Sequence, residues 1–244
     1  MRKAAISIRA PIGGYGGLRG KVNLARRIFL LAFGLMAFSA AFARAESVMP
    51  EDRVRIVAIG TSLTQGYNVA PGEDFCAMLE KRLMERGFNA EIVNAGVSGD
   101  TSAGGLARLD WALDGHVDGV MVELGANDAL RGLSPADTRA NLTAILDNLK
   151  ARNLPVLLAG MMAPRNLGPD YAREFDAIFP ELSASYQTSY YPFFLDGVAS
   201  DLSLNQPDGI HPNEAGTRVI VERITPTVEA FIRKILAARL PETN

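Results

Sequence analysis

Val54-Arg55-Ile56-Val57-Ala58-Ile59-Gly60-Thr61-Ser62-Leu63 is the stretch on which the reading of this chain turns. A short, mainly apolar run closes on a glycine, and a serine follows two places later. Such a run reads as a β-strand, and the glycine marks the turn that ends it. A serine at a strand-to-helix turn is a candidate nucleophile. On an open α/β sheet that position lies at the strand ends, where ligands bind.

The pattern repeats along the chain. Ala90-Glu91-Ile92-Val93-Asn94 reads as a second strand, Gly119-Val120-Met121-Val122-Glu123-Leu124 as a third and residues 154–158 as a fourth. Tyr191-Pro192-Phe193-Phe194-Leu195 resembles an edge-like fifth, where a proline is best tolerated. Helical stripes lie between them. One carries Phe75, Met78, Leu79 and Leu83, with Gly87 as the expected C-cap, and residues 101–113 carry Leu106, Leu109 and Leu113. Another starts at Ser134-Pro135-Ala136-Asp137 and continues with Leu142, Ile145, Leu146 and Leu149. Tyr171, Phe175, Ile178 and Leu182 mark the next, and the last carries Ile220, Ile224, Phe231 and Ile235, with a kink expected at Pro226. Strands alternating with helices predict an α/β fold, a parallel sheet of about five strands covered by helices on both faces.

The first 45 of the 244 residues differ from the rest. They hold eight Arg or Lys and no acid, then an apolar stretch from Ile28 to Phe38, and end Ala43-Arg44-Ala45. Basic flank, apolar core and small-x-small ending predict a secretory signal peptide over 1–45, with an uncleaved anchor as the alternative. Residues 46–244 then form one domain, exported to the periplasm or secreted, with no stable membrane span after processing, and expected to be a monomer. That part carries 17 basic and 27 acidic residues, which argues against a nucleic-acid partner. Cys76 is the only cysteine, so no intrachain disulfide forms; it falls in an apolar helical pattern and reads as a buried small side chain.

Histidines are two, His116 and His211. His116 lies at the expected N-terminal edge of the sheet and reads as bland. His211 sits in Asp208-Gly209-Ile210-His211-Pro212, with an acid three residues before it. Ser62 needs a base to remove its proton, and histidine is suited to that near neutral pH. Asp208 can reach back across the turn to orient the imidazole. Attack on an ester carbonyl also needs preorganised donors, available from the backbone N–H groups of Ser62 and Gly99 and the side-chain amide of Asn127. No cofactor is expected, and no metal, because one well-placed histidine and one acid fall short of a zinc site.

Four motifs carry a resemblance to a known family: Ile59-Gly60-Thr61-Ser62-Leu63-Thr64-Gln65-Gly66-Tyr67, Asn94-Ala95-Gly96-Val97-Ser98-Gly99-Asp100-Thr101, Val122-Glu123-Leu124-Gly125-Ala126-Asn127-Asp128-Ala129-Leu130-Arg131-Gly132 and Asp208-Gly209-Ile210-His211-Pro212-Asn213. In order and spacing the chain resembles the SGNH, or GDSL, hydrolases, and within them the bacterial periplasmic thioesterase/lysophospholipase and arylesterase branch. The resemblance implies a flavodoxin-like three-layer α/β/α sandwich and metal-independent hydrolysis of small acyl or aryl esters, thioesters or lysophospholipids through an acyl-enzyme. It implies Ser62 as nucleophile, Asp208 and His211 as its partners, and Ser62, Gly99 and Asn127 as oxyanion hole. Thr61 departs from the pattern, which usually has Asp there; a carboxylate restored at 61 is expected to stabilise the imidazolium of His211. An apolar pocket is expected from Met161, Met162, Leu167, Phe193, Phe194 and Leu204, on or near the 165–169 and 197–206 loops. A polysaccharide O-acetyl esterase and an exported non-catalytic binding protein are the alternatives.

Overall fold

The computed structural model describes residues 53–240; the expected signal segment and its cleavage point lie outside them. Strands β1 (Val54–Gly60), β2 (Ala90–Gly96), β3 (Gly119–Glu123), β4 (Val156–Ala159) and β5 (Ser189–Tyr191) form one parallel sheet in the order β2-β1-β3-β4-β5. Strand order reverses between β1 and β3, the switch point of the flavodoxin-like arrangement, where a crevice opens beyond the carboxyl ends. The sheet is covered on both faces, which is why β1 and β3 read as nearly continuous apolar runs.

One covering layer comprises α2 (Phe75–Glu85) and α9 (Glu214–Arg239), which pack on each other. Asp74 caps α2 by accepting from the N–H groups of Cys76 and Ala77, both at 3.1 Å. The other layer is built around α6 (Pro135–Ala151), packed against α3 (Ser102–Ala107) and α8 (Ile178–Tyr186). Leu142, Ile145, Leu146 and Leu149 of α6 are buried, as their spacing predicts. Each such side chain withdrawn from water contributes about 1.5–3 kcal/mol before entropy is charged. Phe75, Phe175, Phe179, Phe194 and Phe231 fill the remaining core, and Cys76 is buried with them.

Differences from the sequence reading have identifiable physical causes. The stretch 101–113 divides into α3 and α4 (Leu109–Ala112) at Arg108, which leaves helical geometry (φ −108°, ψ 10°). Gly104 and Gly105 make the first piece a weak helix former. The fifth strand is Ser189–Tyr191, earlier than Tyr191-to-Leu195, because Pro192 has no N–H with which to continue the ladder. After it the chain turns, with Phe194 N–H donating to Gly160 O at 2.9 Å. Ser134 stands at the N-cap of α6 without a side-chain cap bond, and α9 runs as one helix through Pro226.

Register positions the site. Gly60 pairs with Gly96 on one side and with Glu123 on the other, so three strands end at one level. The loops that leave them begin at Thr61, Val97 and Leu124, and each carries one of the expected site residues.

Candidate active site

The turn after β1 enters a four-residue helix, α1 (Ser62–Gln65), closed by Gly66 in the left-handed region. Thr61 is its N-cap, in extended geometry, and accepts from Leu63 N–H at 3.3 Å. Ser62 is thereby lifted to the crevice, buried apart from a small opening. Its Oγ lies 2.9 Å from Nε2 of His211, 149 residues later in the chain.

His211 is delivered by a tightly held turn. Asn213 caps α9 by accepting from Gly216 N–H and donates to Ser203 O at 2.8 Å. One oxygen of Asp208 accepts from Ile210 N–H (2.9 Å) and His211 N–H (3.0 Å); the other accepts from Nδ1 of His211 at 2.7 Å. These bonds, the His211 amide first and its ring N–H next, hold the Asp208 carboxyl down at about 2. With Nδ1–H given to Asp208, Nε2 is the acceptor that faces Ser62. The Tyr67 ring lies against the imidazole, centroids 4.6 Å apart.

Gln206, which carried no signal in the sequence, ties the two sides together. Its backbone N–H donates to His211 O at 2.7 Å, and its side-chain amide donates to Tyr67 O (2.8 Å) and Pro212 O (3.0 Å). Its Oε1 accepts from Asn68 at 3.1 Å. The loop after β1 and the turn before α9 are thus one hydrogen-bonded unit.

The loop after β2 presents Gly99 at φ +84°, a backbone that favours glycine. Arg131 donates to Gly99 O at 2.7 Å, and Arg108 spans from Asp100 to Gly60 O, where its Nη2 donates at 3.0 Å. The N–H groups of Ser62 and Gly99 donate to no acceptor among the described residues. Asn127, on α5 (Ala126–Leu130), gives one side-chain N–H to Asp100 O at 2.8 Å and keeps the other. The neighbouring Asp128 is buried and accepts from Ser102 N–H and the Ser102 and Thr138 hydroxyls, anchoring α5 to α3 and α6.

Beside Ser62 opens a cavity of about 590 Å³. Met161, Met162, Phe193, Leu130 and Ile210 are among its lining residues, with Arg165 at one side. Phe194 belongs to the core, edge-on to Phe75, and Leu167 and Leu204 do not line the cavity. His116 stands before β3, at the opposite end of the sheet, exposed and 3.0 Å from Asp118. Among the described residues no group of three or more His, Cys, Asp or Glu is placed to hold a metal ion, and no helix is long and apolar enough to cross a membrane.

Thr61 does not face His211. It is fully buried, and its hydroxyl is 3.1 and 3.2 Å from the two oxygens of Glu123, whose carboxyl burial pushes up to about 7. The signal for Glu123 was present in the sequence as a lone acid inside an apolar strand.

The chain matches the family described as GDSL-like Lipase/Acylhydrolase over residues 58–219. It is 37% identical over 178 residues to the esterase TesA of Pseudomonas aeruginosa, a match covering 72% of this chain and 89% of that protein. The thioesterase 1/protease 1/lysophospholipase L1 of Escherichia coli is 35% identical over 178 residues, covering 72% and 84%. The crystal structure of AlinE4, an SGNH-hydrolase family esterase, is 46% identical with a TM-score of 0.62, across 78% of this chain and 97% of that one.

Proposed function

Since the chain belongs to the GDSL-like lipase/acylhydrolase family and is a carboxylic ester hydrolase, we propose that it cleaves acyl or aryl esters, thioesters or lysophospholipids through Ser62, His211 and Asp208. The observation that carries this reading is the continuous chain of contacts from Asp208 through His211 to Ser62, beside two backbone N–H groups without acceptors. In this mechanism Nε2 of His211 takes the Oγ proton as Oγ attacks the carbonyl carbon. The oxyanion that forms is met by the N–H groups of Ser62 and Gly99 and the free N–H of Asn127. His211 then passes its proton to the departing alcohol or thiol, leaving an acyl-Ser62. Water attacks the acyl carbon with His211 again as base, releasing the acid and restoring Ser62.

The cavity supports an acyl or aryl group as the part recognised. Met161, Met162, Phe193 and Leu130 offer apolar surface next to the reacting atoms, where burial of each methylene contributes about 0.8 kcal/mol. A serine-directed phosphonate is expected to label Ser62 in one-to-one ratio. Across p-nitrophenyl esters of increasing length, lysophospholipid and acyl-CoA, kcat/KM is expected to rise with acyl length until the cavity is filled. Turnover confined to acetylated polysaccharide would replace the acyl-chain reading.

The same proposal places the enzyme outside the cytoplasm, with residues 1–45 as its export signal and a mature chain beginning Glu46-Ser47-Val48. N-terminal sequencing of the fractionated protein tests it; an intact 1–45 segment in the cytosol would refute the location and leave the hydrolase assignment standing.

A further inference from the structure

Glu123 is the last residue of a strand with no exposed position, and it takes no part in the steps above. Its Oε2 accepts from Thr61 N–H at 2.9 Å, from the Thr61 hydroxyl at 3.1 Å and from the Thr64 hydroxyl at 2.8 Å. Oε1 faces the Thr61 hydroxyl at 3.2 Å. These donors flank Ser62 on both sides, at the residue before it and at the residue two after it. Thr61 Oγ in turn receives Leu63 N–H, so the contacts run from the carboxylate into the second amide of α1, next to Ser62. Space for this arrangement depends on Gly60, where a Cβ would come within 2.0 Å of Thr64 Oγ and 2.7 Å of Glu123 Oε2. A buried acid is costly unless hydrogen-bonded, and the donors that satisfy Glu123 come from the turn that carries Ser62.

We propose that Glu123 is the positioning residue for Ser62: its carboxylate clasps Thr61 and Thr64 and so aims the serine hydroxyl at His211, and protonation of that carboxylate loosens the aim. The inference rests on Ser62 being the nucleophile. An ionised carboxylate only accepts, which matches three donors converging on it. Once protonated on Oε1, the group becomes a donor facing Thr61 Oγ. That hydroxyl then accepts from the acid as well as from Leu63 N–H, and the bonds that Thr61 N–H and the threonine hydroxyls give to the carboxylate lose their charge assistance. Burial places this proton exchange near neutral pH. The donors that oppose it, on the turn after β1, are all uncharged. Cys76 of α2 is the titratable group that faces Glu123 from the adjoining helix, itself held neutral by burial. From the α3–α4 junction Arg108 reaches the Gly60 carbonyl.

Glu123→Gln places a permanent amide donor where the protonated acid would have its O–H. For a short p-nitrophenyl ester, kcat of wild type divided by kcat of Glu123→Gln cancels the titration of the shared base. This ratio is expected to be close to one at pH 5.5 and to climb to roughly tenfold by pH 8.5, the scale of one weakened charge-assisted hydrogen bond, with KM unchanged. The rate of phosphonate labelling at Ser62 should follow the same curve. A ratio that stays constant across pH, at any value, overturns the proposal. Thr64→Val decides the matter if Glu123→Gln does not fold. Removing one donor from the ionised form should move the pH of half-maximal kcat above that of wild type, and an unmoved profile overturns the proposal. Wild-type protein that phosphonate does not label at Ser62 would instead remove the nucleophile reading; labelling with a flat ratio removes only the role of Glu123.

Discussion

Two carboxylates flank Ser62, and they are held in opposite ways. Asp208 lies in an exposed turn, Glu123 in the sheet interior, and each accepts three or more hydrogen bonds from the residues around it. Asp208 is held at about 2, whereas Glu123 is pushed to about 7. The donor counts are similar, so the difference lies in solvent. Asp208 keeps its hydration and gains its bonds, while Glu123 gives up its hydration and only partly recovers it from neutral donors. The outer carboxylate is therefore a constant across working pH, and the inner one a variable.

Breaking the point where both turns meet should have the largest effect. On the proposed mechanism, Ser62→Ala removes the attacking atom without opening a core cavity, and His211→Ala removes its base. Each should cut kcat/KM by on the order of 10⁶, with the double variant little worse, because the residues act as a unit. Additive losses in single-turnover and steady-state assays would dissolve that unit.

Asp208→Asn isolates the outer turn. The Asp208 oxygen that accepts from Ile210 and His211 N–H must remain the carbonyl oxygen, so the amide NH₂ faces Nδ1. Nδ1 then has to accept, Nε2 carries the proton, and Ser62 meets a donor where it needs an acceptor. A loss of about 10⁴ in kcat is expected with the fold retained. A loss matching only a weakened turn, with no change in labelling rate at Ser62, would show that tautomer control is not the role of this residue.

Asn127 belongs to neither turn. Asn127→Ala should lower kcat by roughly 10²–10³ with a smaller change in KM, as a donor used in the transition state requires. A change confined to KM would assign it to substrate binding.

The inner carboxylate should be visible in stability as well as in rate. Its folded-state value is raised, so the native state holds the proton more tightly than the unfolded chain. Stability from this group is complete below about 4.5 and declines as pH rises through about 7. The decline amounts to roughly 3 kcal/mol, and Glu123→Gln should flatten it in urea titrations at pH 5 and pH 8. Asp208 works in the other sense: its contribution is present above its ordinary value and is lost as pH falls toward 2. Equal slopes for wild type and Glu123→Gln would erase the contrast between the two sites.

Thr61→Asp should have the smallest effect on rate. The new carboxyl would face Glu123, away from His211, and two such groups in a buried site share a proton. The acidic limb of kcat/KM should move to higher pH, as for Thr64→Val, because the clasp loses a donor and gains a second acid, while stability falls more steeply with rising pH. An unmoved limb would mean that the contact of position 61 with Glu123 does not reach Ser62.

Much of this was legible in the chain itself. Buried strands such as Val54–Gly60 and Gly119–Glu123 carry their own periodicity, and Gly60, Gly99 and the Asp208-to-Pro212 turn are short-range signals with short-range causes. Where the reading slipped, a distant partner decided the outcome. Arg108 divides a helix and bonds Gly60 O, 48 residues away, and Pro192 ends a strand whose ladder is set by β4. Phe194 looked like pocket lining and is core, since an apolar side chain is the same residue in either place.

The sequence by itself determined the α/β fold, its strand-end loops and the identity of the residues they carry, because strand period, glycine turns and motif spacing are local properties. The tertiary structure alone decided that Gln206 joins the two sides of the site, that Thr61 faces Glu123, and that one carboxylate is fixed while the other titrates near neutrality. Hydrogen-bond partners between 59 and 149 residues apart, and the solvent excluded around them, exist only once the sheet has closed its layers.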